Sequence, residues 1–194
     1  MNLKHLVQWR QTLAHARQSP QCAQELRWWI QETLPRLHRT IHLPSQAQVE
    51  ALEVFLVRYV EQVPAQLEAM ERALLRAEAE VNMDYFLHIA CDFFTHQPQH
   101  IVREGGWQAL LAEAYLAHRI VEELYDHAAL QGYFPAINTQ ALQADVIVHH
   151  VLGEEFANQL DMGVFYALET LLPAHTPKPT HELAAVDEAP AALH

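Results

Sequence analysis

Several features that define other protein classes are scarce or absent in this sequence. It has only 5 Gly and few β-branched runs, which argues against a β-rich fold. The two cysteines, Cys22 and Cys91, are too few for a disulfide framework. The first residues lack the apolar core of a signal peptide, and charged residues break every apolar run before it reaches the length of a membrane span. We therefore expect a soluble, cytoplasmic protein that does not insert into a membrane.

Positive charge is also scarce. Only two lysines occur, Lys4 and Lys178, and the formal net charge is −12 with His neutral. A chain this acidic is repelled by phosphate backbones, so we do not expect nucleic acid as a partner, and no polybasic patch is present to bind a membrane surface. The expected partner is a small-molecule substrate, and a homodimer is left open.

The most abundant residue types in the sequence favour helices. Of its 194 residues 51% are hydrophobic, enough for one domain with a sizeable core, and Ala, Leu, Glu, Gln and Arg dominate. We predict an all-α, single-domain bundle of about seven helices over residues 1–174. Residues 175–194 contain three prolines and no apolar period, which predicts a flexible C-terminal tail.

Proline and capping residues divide the first half of the chain into helices. Ser19 and Pro20 predict a helix start, with Ser as the N-cap and Pro in the first turn. Pro35 is expected to kink or split that helix. The next helix is expected to begin at Ser45 and to be interrupted by Pro64.

The stretch from residue 82 to residue 102, NMDYFLHIACDFFTHQPQHIV, contains no Lys, Arg or Glu. Asp84, His88 and Asp92 step by fours along one polar side, which Cys91 shares. A solvated helix face usually carries long charged side chains. We interpret the stretch as a helix with an interior on both sides, one apolar and one polar; a solvated polar face is an alternative of equal weight.

The helical pattern from Trp107 to Leu130 places a histidine in an apolar face. His118 falls at the centre of that face, and Glu122 lies one turn further on, at its edge. Arg119 follows His118 in the sequence but projects about 100° away on an ideal helix, so we expect no pairing between it and these groups.

The pattern from Gln140 towards Leu160, with a continuation to Leu172 left open, repeats the arrangement. His149 sits at the centre of its apolar face, with Asp145 one turn before it. Gly153, one turn after His149, is expected to leave space or to let another helix approach. Three helices therefore each pair an imidazole with a carboxylate four residues away, on one face and within reach of a common ion.

Imidazoles and carboxylates from facing helices bind iron, manganese or zinc in helical bundles. A buried carboxylate is costly unless it is paired, and a divalent cation would offset its charge. The predicted metal ligands are Asp84, His88, His118, Glu122, Asp145 and His149, with iron as the first choice and manganese or zinc as alternatives. The residues predicted to line the pocket are Tyr85, Cys91, Asp92, Trp107, Tyr125 and Phe156. Taken singly, His118 or His149 is more often a hydrogen-bonded core histidine.

The order of these residues resembles a known group. Residues 45–74, SQAQVEALEVFLVRYVEQVPAQLEAMERAL, are similar in helical rhythm to the early helices of the haem-oxygenase-like proteins, which include thiaminase-like and pyrroloquinoline-quinone-synthase-like members. The non-haem di-iron branch carries a carboxylate and a His, then a carboxylate, then a carboxylate–His cluster. Residues in that order here are Asp84 (or Glu80) with His88, then Glu122, then Asp145 with His149. The resemblance implies a seven- or eight-helix fold and an iron-dependent oxidase or oxygenase.

Three functional hypotheses follow. The first is a metal-dependent enzyme, with non-haem iron, in which an open coordination position activates O₂ or water against a small substrate. The second is a non-enzymatic, acidic helical adaptor or regulatory protein whose working surface includes Trp28 and Trp29. The third is a bundle that binds haem through a single axial His, or binds an apolar ligand.

Overall fold

The computed structural model describes residues 4–39, 41–44, 46–76, 106–126 and 139–171. Within these ranges the chain forms helices and no strand, which confirms the all-α prediction. The six α-helices are α1 (Lys4–Gln18), α2 (Pro20–Thr33), α3 (Gln48–Arg76), α4 (Trp107–Asp126), α5 (Thr139–Leu152) and α6 (Glu154–Leu171). The predicted helix at 82–102 and the predicted tail at 175–194 lie outside the described residues.

The start and the end of α2 follow the two proline signals. Ser19 is the N-cap, and its hydroxyl oxygen accepts a hydrogen bond from the Cys22 amide at 3.3 Å. Pro20 occupies the first turn, where its missing N–H costs nothing. At the other end Pro35 splits the predicted helix, because α2 stops at Thr33 and a 3₁₀ turn, Leu34–Arg36, follows.

Helix α3 corrects the prediction at Pro64. The helix runs unbroken from Gln48 to Arg76 with Pro64 inside it. Proline there removes one backbone hydrogen bond, but the turns on either side are fixed by burial: Val60, Val63 and Leu67 are at most 2% exposed. Packing of that face compensates for the local loss, as tertiary context often does for helix propensity.

The boundary between α5 and α6 corrects the prediction of one continuous helix. Gly153 has φ +93°, a left-handed conformation that glycine adopts without penalty. Its N–H donates to the His149 carbonyl at 3.1 Å and ends α5, while its carbonyl accepts from the Ala157 N–H at 2.9 Å and starts α6. A Cβ at this position would have no atom within 4 Å, so the glycine serves the turn and not a close approach between helices.

Helix α4 is the centre of the bundle. Eleven of its 20 residues are buried, and it packs against α3, α5 and α6 as well as against the N-terminal helices. Side chains such as Leu111, Ile120 and Leu124 are at most 1% exposed, and burial of each contributes about 1.5–3 kcal/mol to folding. Polar groups on the inner sides of α4, α5 and α3 are therefore shielded from water, so they need hydrogen-bond or ion-pair partners within the protein.

None of the helices in the described ranges combines the length and the apolar character that crossing a membrane requires.

Candidate functional site

Five of the predicted site residues lie outside the described residues. They are the two predicted ligands and three predicted lining residues of the 82–102 stretch: Asp84, His88, Tyr85, Cys91 and Asp92. The other four predicted ligands lie on α4 and α5. The structure places them in or next to one group of side chains between α3, α4, α5 and α6, which we call the polar cluster. Its members are Tyr59, Tyr115, His118, Arg119, Glu122, Glu123, Asp145, His149, Asn158 and Asp161.

His118 is a buried, hydrogen-bonded histidine. Its side chain is on the inner side of α4, the residue is 5% exposed, and the ring stacks on Tyr59 with ring centroids 4.0 Å apart. Nε2 lies 3.0 Å from the Tyr59 carbonyl oxygen; because a carbonyl only accepts, Nε2–H must be the donor. Burial lowers the pKa of His118 from 6.5 to about 4, so the ring is neutral at pH 7. This geometry matches the core-histidine alternative for His118.

Asp145 is a buried carboxyl on α5. The residue is 8% exposed, and Tyr59 Oη donates a hydrogen bond to its Oδ1 at 2.6 Å. The pKa of Asp145 is raised from 3.8 to about 6, chiefly because burial desolvates the carboxylate. The Tyr59 hydrogen bond and Arg119 oppose this rise, whereas the Glu122 and Asp161 charges add to it. Tyr59, whose own pKa is raised by the same burial, thus connects His118 and Asp145.

Arg119 corrects the expectation that no cation pairs with the predicted ligands. Its guanidinium forms an ion pair with Glu122 and another with Glu123, the latter at 2.8 Å. Its Nε also donates to Asp161 Oδ1 at 3.0 Å. Residues three and four apart share a helix face, so Glu122 and Glu123 are the positions that Arg119 reaches on its own helix. The carboxylate of Glu122 is therefore neutralised by the protein itself.

The outer part of the polar cluster contains His149. Its Nε2 lies 3.3 Å from Asn158 Oδ1 and 3.9 Å from Asp161 Oδ2, and its ring packs edge-on against Tyr115 at 6.0 Å. The Tyr115 hydroxyl donates to the Asp161 carboxylate at 3.1 and 3.2 Å. His149 is half-buried, so its imidazole lies closer to solvent than that of His118.

Chemically, the described part of the polar cluster is a set of groups that bind each other. His118 binds a backbone carbonyl, Asp145 a phenol, and Glu122 a guanidinium. Among the residues that the structure describes, no group of three or more His, Cys, Asp or Glu is arranged to hold a metal ion. The predicted metal centre also includes Asp84 and His88, which lie outside the described residues, and it stays a prediction.

The described residues predicted to line a pocket contribute to the hydrophobic packing. Trp107 is 6% exposed and belongs to the core, and Tyr125 and Phe156 pack against that core as partly buried side chains. An open pocket of about 350 Å³ lies elsewhere, around the 3₁₀ turn after α2, with Leu37, His38 and His42 in its lining. None of the predicted site residues that the structure describes lines that pocket.

Helix α6 has a second apolar side that the sequence prediction missed. Its inner side is buried, with Leu160, Val164 and Ala167 at most 1% exposed. On the opposite side Met162 is 58% exposed, Phe165 55% and Tyr166 49%. Glu155, Asn158 and Glu169 are exposed on the same side, and the six residues fall within a sector of about 100°. We call these six residues the outer face of α6.

Sequence reasoning also missed Tyr59, Tyr115 and Asp161, which complete the polar cluster. Tyr59 lies 86 residues from Asp145, and Tyr115 lies 46 from Asp161, so no local spacing relates the partners. The outer face of α6 had a readable signal, since Met162, Phe165 and Tyr166 recur at i, i+3 and i+4 on the side opposite Leu160 and Val164.

No protein-family model, curated protein or solved structure matches this chain. The resemblance to haem-oxygenase-like proteins therefore stays a prediction, as does the iron-dependent chemistry that it implies. Two regions of the described residues bear on function, the polar cluster and the outer face of α6.

Proposed function

We propose that this chain is a non-enzymatic binding module, a helical bundle that presents α6 to another macromolecule. One observation carries the proposal: Met162, Phe165 and Tyr166 adjoin on a single helix face and are each about half exposed or more. Contiguous exposed apolar side chains cost solubility unless a partner covers them, and in soluble proteins such patches are typical of interaction sites.

The other exposed apolar side chains of the described residues do not form such a group. They are Trp28 on α2, Val54 and Leu75 on α3, and Val146 on α5, with exposures of 60%, 50%, 67% and 57%. Val54 and Leu75 lie 21 positions apart on α3, so neither has an exposed apolar neighbour among the described side chains of that helix. Single exposed hydrophobic residues are normal on protein surfaces. Of the Trp28–Trp29 pair, Trp29 packs against the core as a partly buried residue, so Trp28 alone offers an exposed ring.

Photo-crosslinking in cells tests this proposal. The photoreactive residue p-benzoylphenylalanine, placed at position 165, is expected to form discrete adducts on irradiation, because its ring replaces an aromatic ring that the partner covers. The same residue at position 54 is the matched control, since Val54 is exposed to a similar degree on α3. Placement at position 28 tests the alternative surface. Adducts at 54 or 28 but not at 165, or at no position, would refute α6 as the binding helix.

A metal-dependent oxidase, with iron first, is the second candidate, and the charge balance of the polar cluster favours it. Four carboxylates, those of Glu122, Glu123, Asp145 and Asp161, surround one guanidinium. This excess of negative charge contributes to the raised pKa of Asp145, and a bound cation would relieve it. The candidate needs Asp84 and His88 as further ligands, and these lie outside the described residues.

Thermal unfolding of anaerobically purified protein with and without Fe(II) separates the two candidates. A bound metal stabilises the folded state by mass action, so the oxidase predicts a rise in Tm that Asp145→Asn and His149→Ala reduce. The binding module predicts a Tm that Fe(II) leaves unchanged. Mn(II) and Zn(II) are tested in the same way.

A further inference from the structure

We infer that the partner bound by the outer face of α6 is a basic amphipathic helix, a segment with an apolar stripe and Lys or Arg at both ends of it. This inference deepens the proposed function and depends on it. It follows from the shape of the face, from the charges on it, and from the arrangement that a second copy of this chain would produce.

The outer face of α6 has the form that a helical segment fits. Met162, Phe165 and Tyr166 occupy its centre with the i, i+3, i+4 spacing by which helices contact each other. Glu155 lies before them and Glu169 after them, about 21 Å apart along the helix axis. A partner helix of about four turns would therefore cover the apolar centre and reach both acids.

The charges of this face are all negative. The sequence of α6, EEFANQLDMGVFYALETL, contains no Lys, Arg or His. Asp161, at the edge of the face, is bound by Arg119 from α4. Glu155 and Glu169 have no ion-pair partner among the described residues. The apolar centre thus has at each end a carboxylate that no cation of the described residues pairs with, on a chain whose net charge is −12, which favours a cationic partner.

A second copy of this chain is disfavoured as the occupant. If two copies packed their outer faces antiparallel, Glu155 of one would lie opposite Glu169 of the other. If they packed parallel, each glutamate would lie opposite its own copy. Both arrangements place like charges together beside a desolvated apolar contact, which works against association. An anionic membrane surface or nucleic acid is disfavoured for the same reason.

Binding of three designed peptides, measured by fluorescence anisotropy with the full chain, tests the inference. The first is a helical peptide of about 16 residues with a leucine stripe flanked by lysines. The second has the same composition scrambled, so that no stripe forms, and the third replaces the lysines by glutamates. We expect the first to bind at least about tenfold more tightly than either control, and its affinity to fall between about 50 mM and about 300 mM salt.

Two variants locate the binding on α6. Phe165→Ser removes one of the two aromatic rings of the apolar centre and is expected to weaken binding of the first peptide by about tenfold or more. Glu155→Gln combined with Glu169→Gln keeps the apolar centre and is expected to weaken binding several-fold and to reduce its salt dependence. Val54→Ser, on α3, is the control and should bind as the unmodified chain does.

Three outcomes overturn the inference. Equal binding of the lysine and glutamate peptides would remove the charge argument, and equal binding of the scrambled peptide would show general attraction to an acidic protein. Concentration-dependent dimerisation that Phe165→Ser abolishes would identify a second copy as the occupant. In each case photo-crosslinks at position 165 would still support a binding module, whereas their absence would remove the proposed function itself.

Discussion

The polar cluster and the outer face of α6 are opposite exceptions to the rule that polar groups lie outside and apolar groups inside. In the polar cluster, buried polar side chains such as His118 and Asp145 are bound by Tyr59, a residue of another helix. On the outer face of α6, Met162 and Phe165 are exposed. Both regions belong to neighbouring elements, since α4 packs against α6.

The difference indicates which region is structural and which is available for binding. A polar network whose members bind one another across helices fixes how those helices pack. Exposed, contiguous apolar surface gains free energy when it is covered. Substitutions in the polar cluster should therefore change stability, and substitutions on the outer face of α6 should change binding.

Arg119→Ala should give the largest effect on stability. The substitution leaves Glu122 and Asp161 near Asp145 without their cation. These ion pairs are partly buried, with side chains 19–32% exposed, so the cost lies between that of an exposed and that of a buried pair, about 2–3 kcal/mol. Chemical denaturation measures it. Arg27→Ala is the matched control, because Arg27 pairs with Glu53 but is 59% exposed, and its loss should cost less than about 1 kcal/mol. Equal costs for the two variants would show that the polar cluster is not structural.

The change in stability with pH should be the next largest effect. The pKa of His118 is lowered from 6.5 to about 4, so its contribution is present above pH 6.5 and is lost as the pH falls towards 4. The pKa of Asp145 is raised from 3.8 to about 6, so its contribution is present below pH 3.8 and is lost as the pH rises through 6. The two trends oppose each other between about pH 4 and pH 6, where the two windows overlap.

Substituting His118 should expose the pH dependence caused by Asp145, and substituting Asp145 should expose the one caused by His118. With His118→Phe the free energy of unfolding should fall by about 2–3 kcal/mol as the pH rises from 4 to 6.5, and with Asp145→Asn it should rise by a similar amount. Denaturant unfolding at a series of pH values measures both slopes. Slopes of the same sign in the two variants would contradict the opposed burial of these groups.

Tyr59→Phe should have a smaller effect. It removes the hydroxyl that binds Asp145 and leaves a buried carboxyl without its donor, which costs about 1–2 kcal/mol. The pKa of Asp145, followed by NMR, should rise further, because the lost hydrogen bond lowered it. Tyr115→Phe is the comparison: Asp161 keeps its bond from Arg119, so this variant should cost less. A larger loss of stability in Tyr115→Phe than in Tyr59→Phe would show that the polar cluster depends more on Asp161 than on Asp145.

Substitution on the outer face of α6 should have the smallest effect on stability. Phe165→Ser is expected to change the free energy of unfolding by no more than about 0.5 kcal/mol, because the side chain is 55% exposed. On the inner side of the same helix, Leu160→Ala should cost about 2–4 kcal/mol. A large loss of stability in Phe165→Ser would mean that this ring belongs to the fold.

Local signals in the sequence predicted several features correctly. The start of α2 follows from Ser19 and Pro20, whose chemistry acts within one turn. The burial of His118 and Asp145 follows from their place among apolar neighbours at helical spacing. In both cases the information lies within a few residues of the feature.

The features that were missed depend on distant contacts or on long side chains. Pro64 stays within α3 because the turns around it are buried against other helices, which its sequence neighbours do not reveal. Tyr59 meets Asp145 only in the folded bundle. The ideal-helix geometry considered only the direction of Arg119 relative to His118. It did not take into account Glu122, three residues after Arg119, whose carboxylate the long Arg119 side chain reaches.

Two methionines allow one direct test of the claim that α6 is the working surface. Met162 is 58% exposed on the outer face of α6, and Met70 is 3% exposed in the core on α3. With all methionine methyl groups labelled with ¹³C, and the signal of Met162 assigned through Met162→Leu, the lysine peptide is titrated into the full chain. If α6 is the working surface, the Met162 methyl signal shifts and saturates while the Met70 signal stays in place. A bound peptide that leaves Met162 unchanged, or that shifts both signals equally, would contradict that claim.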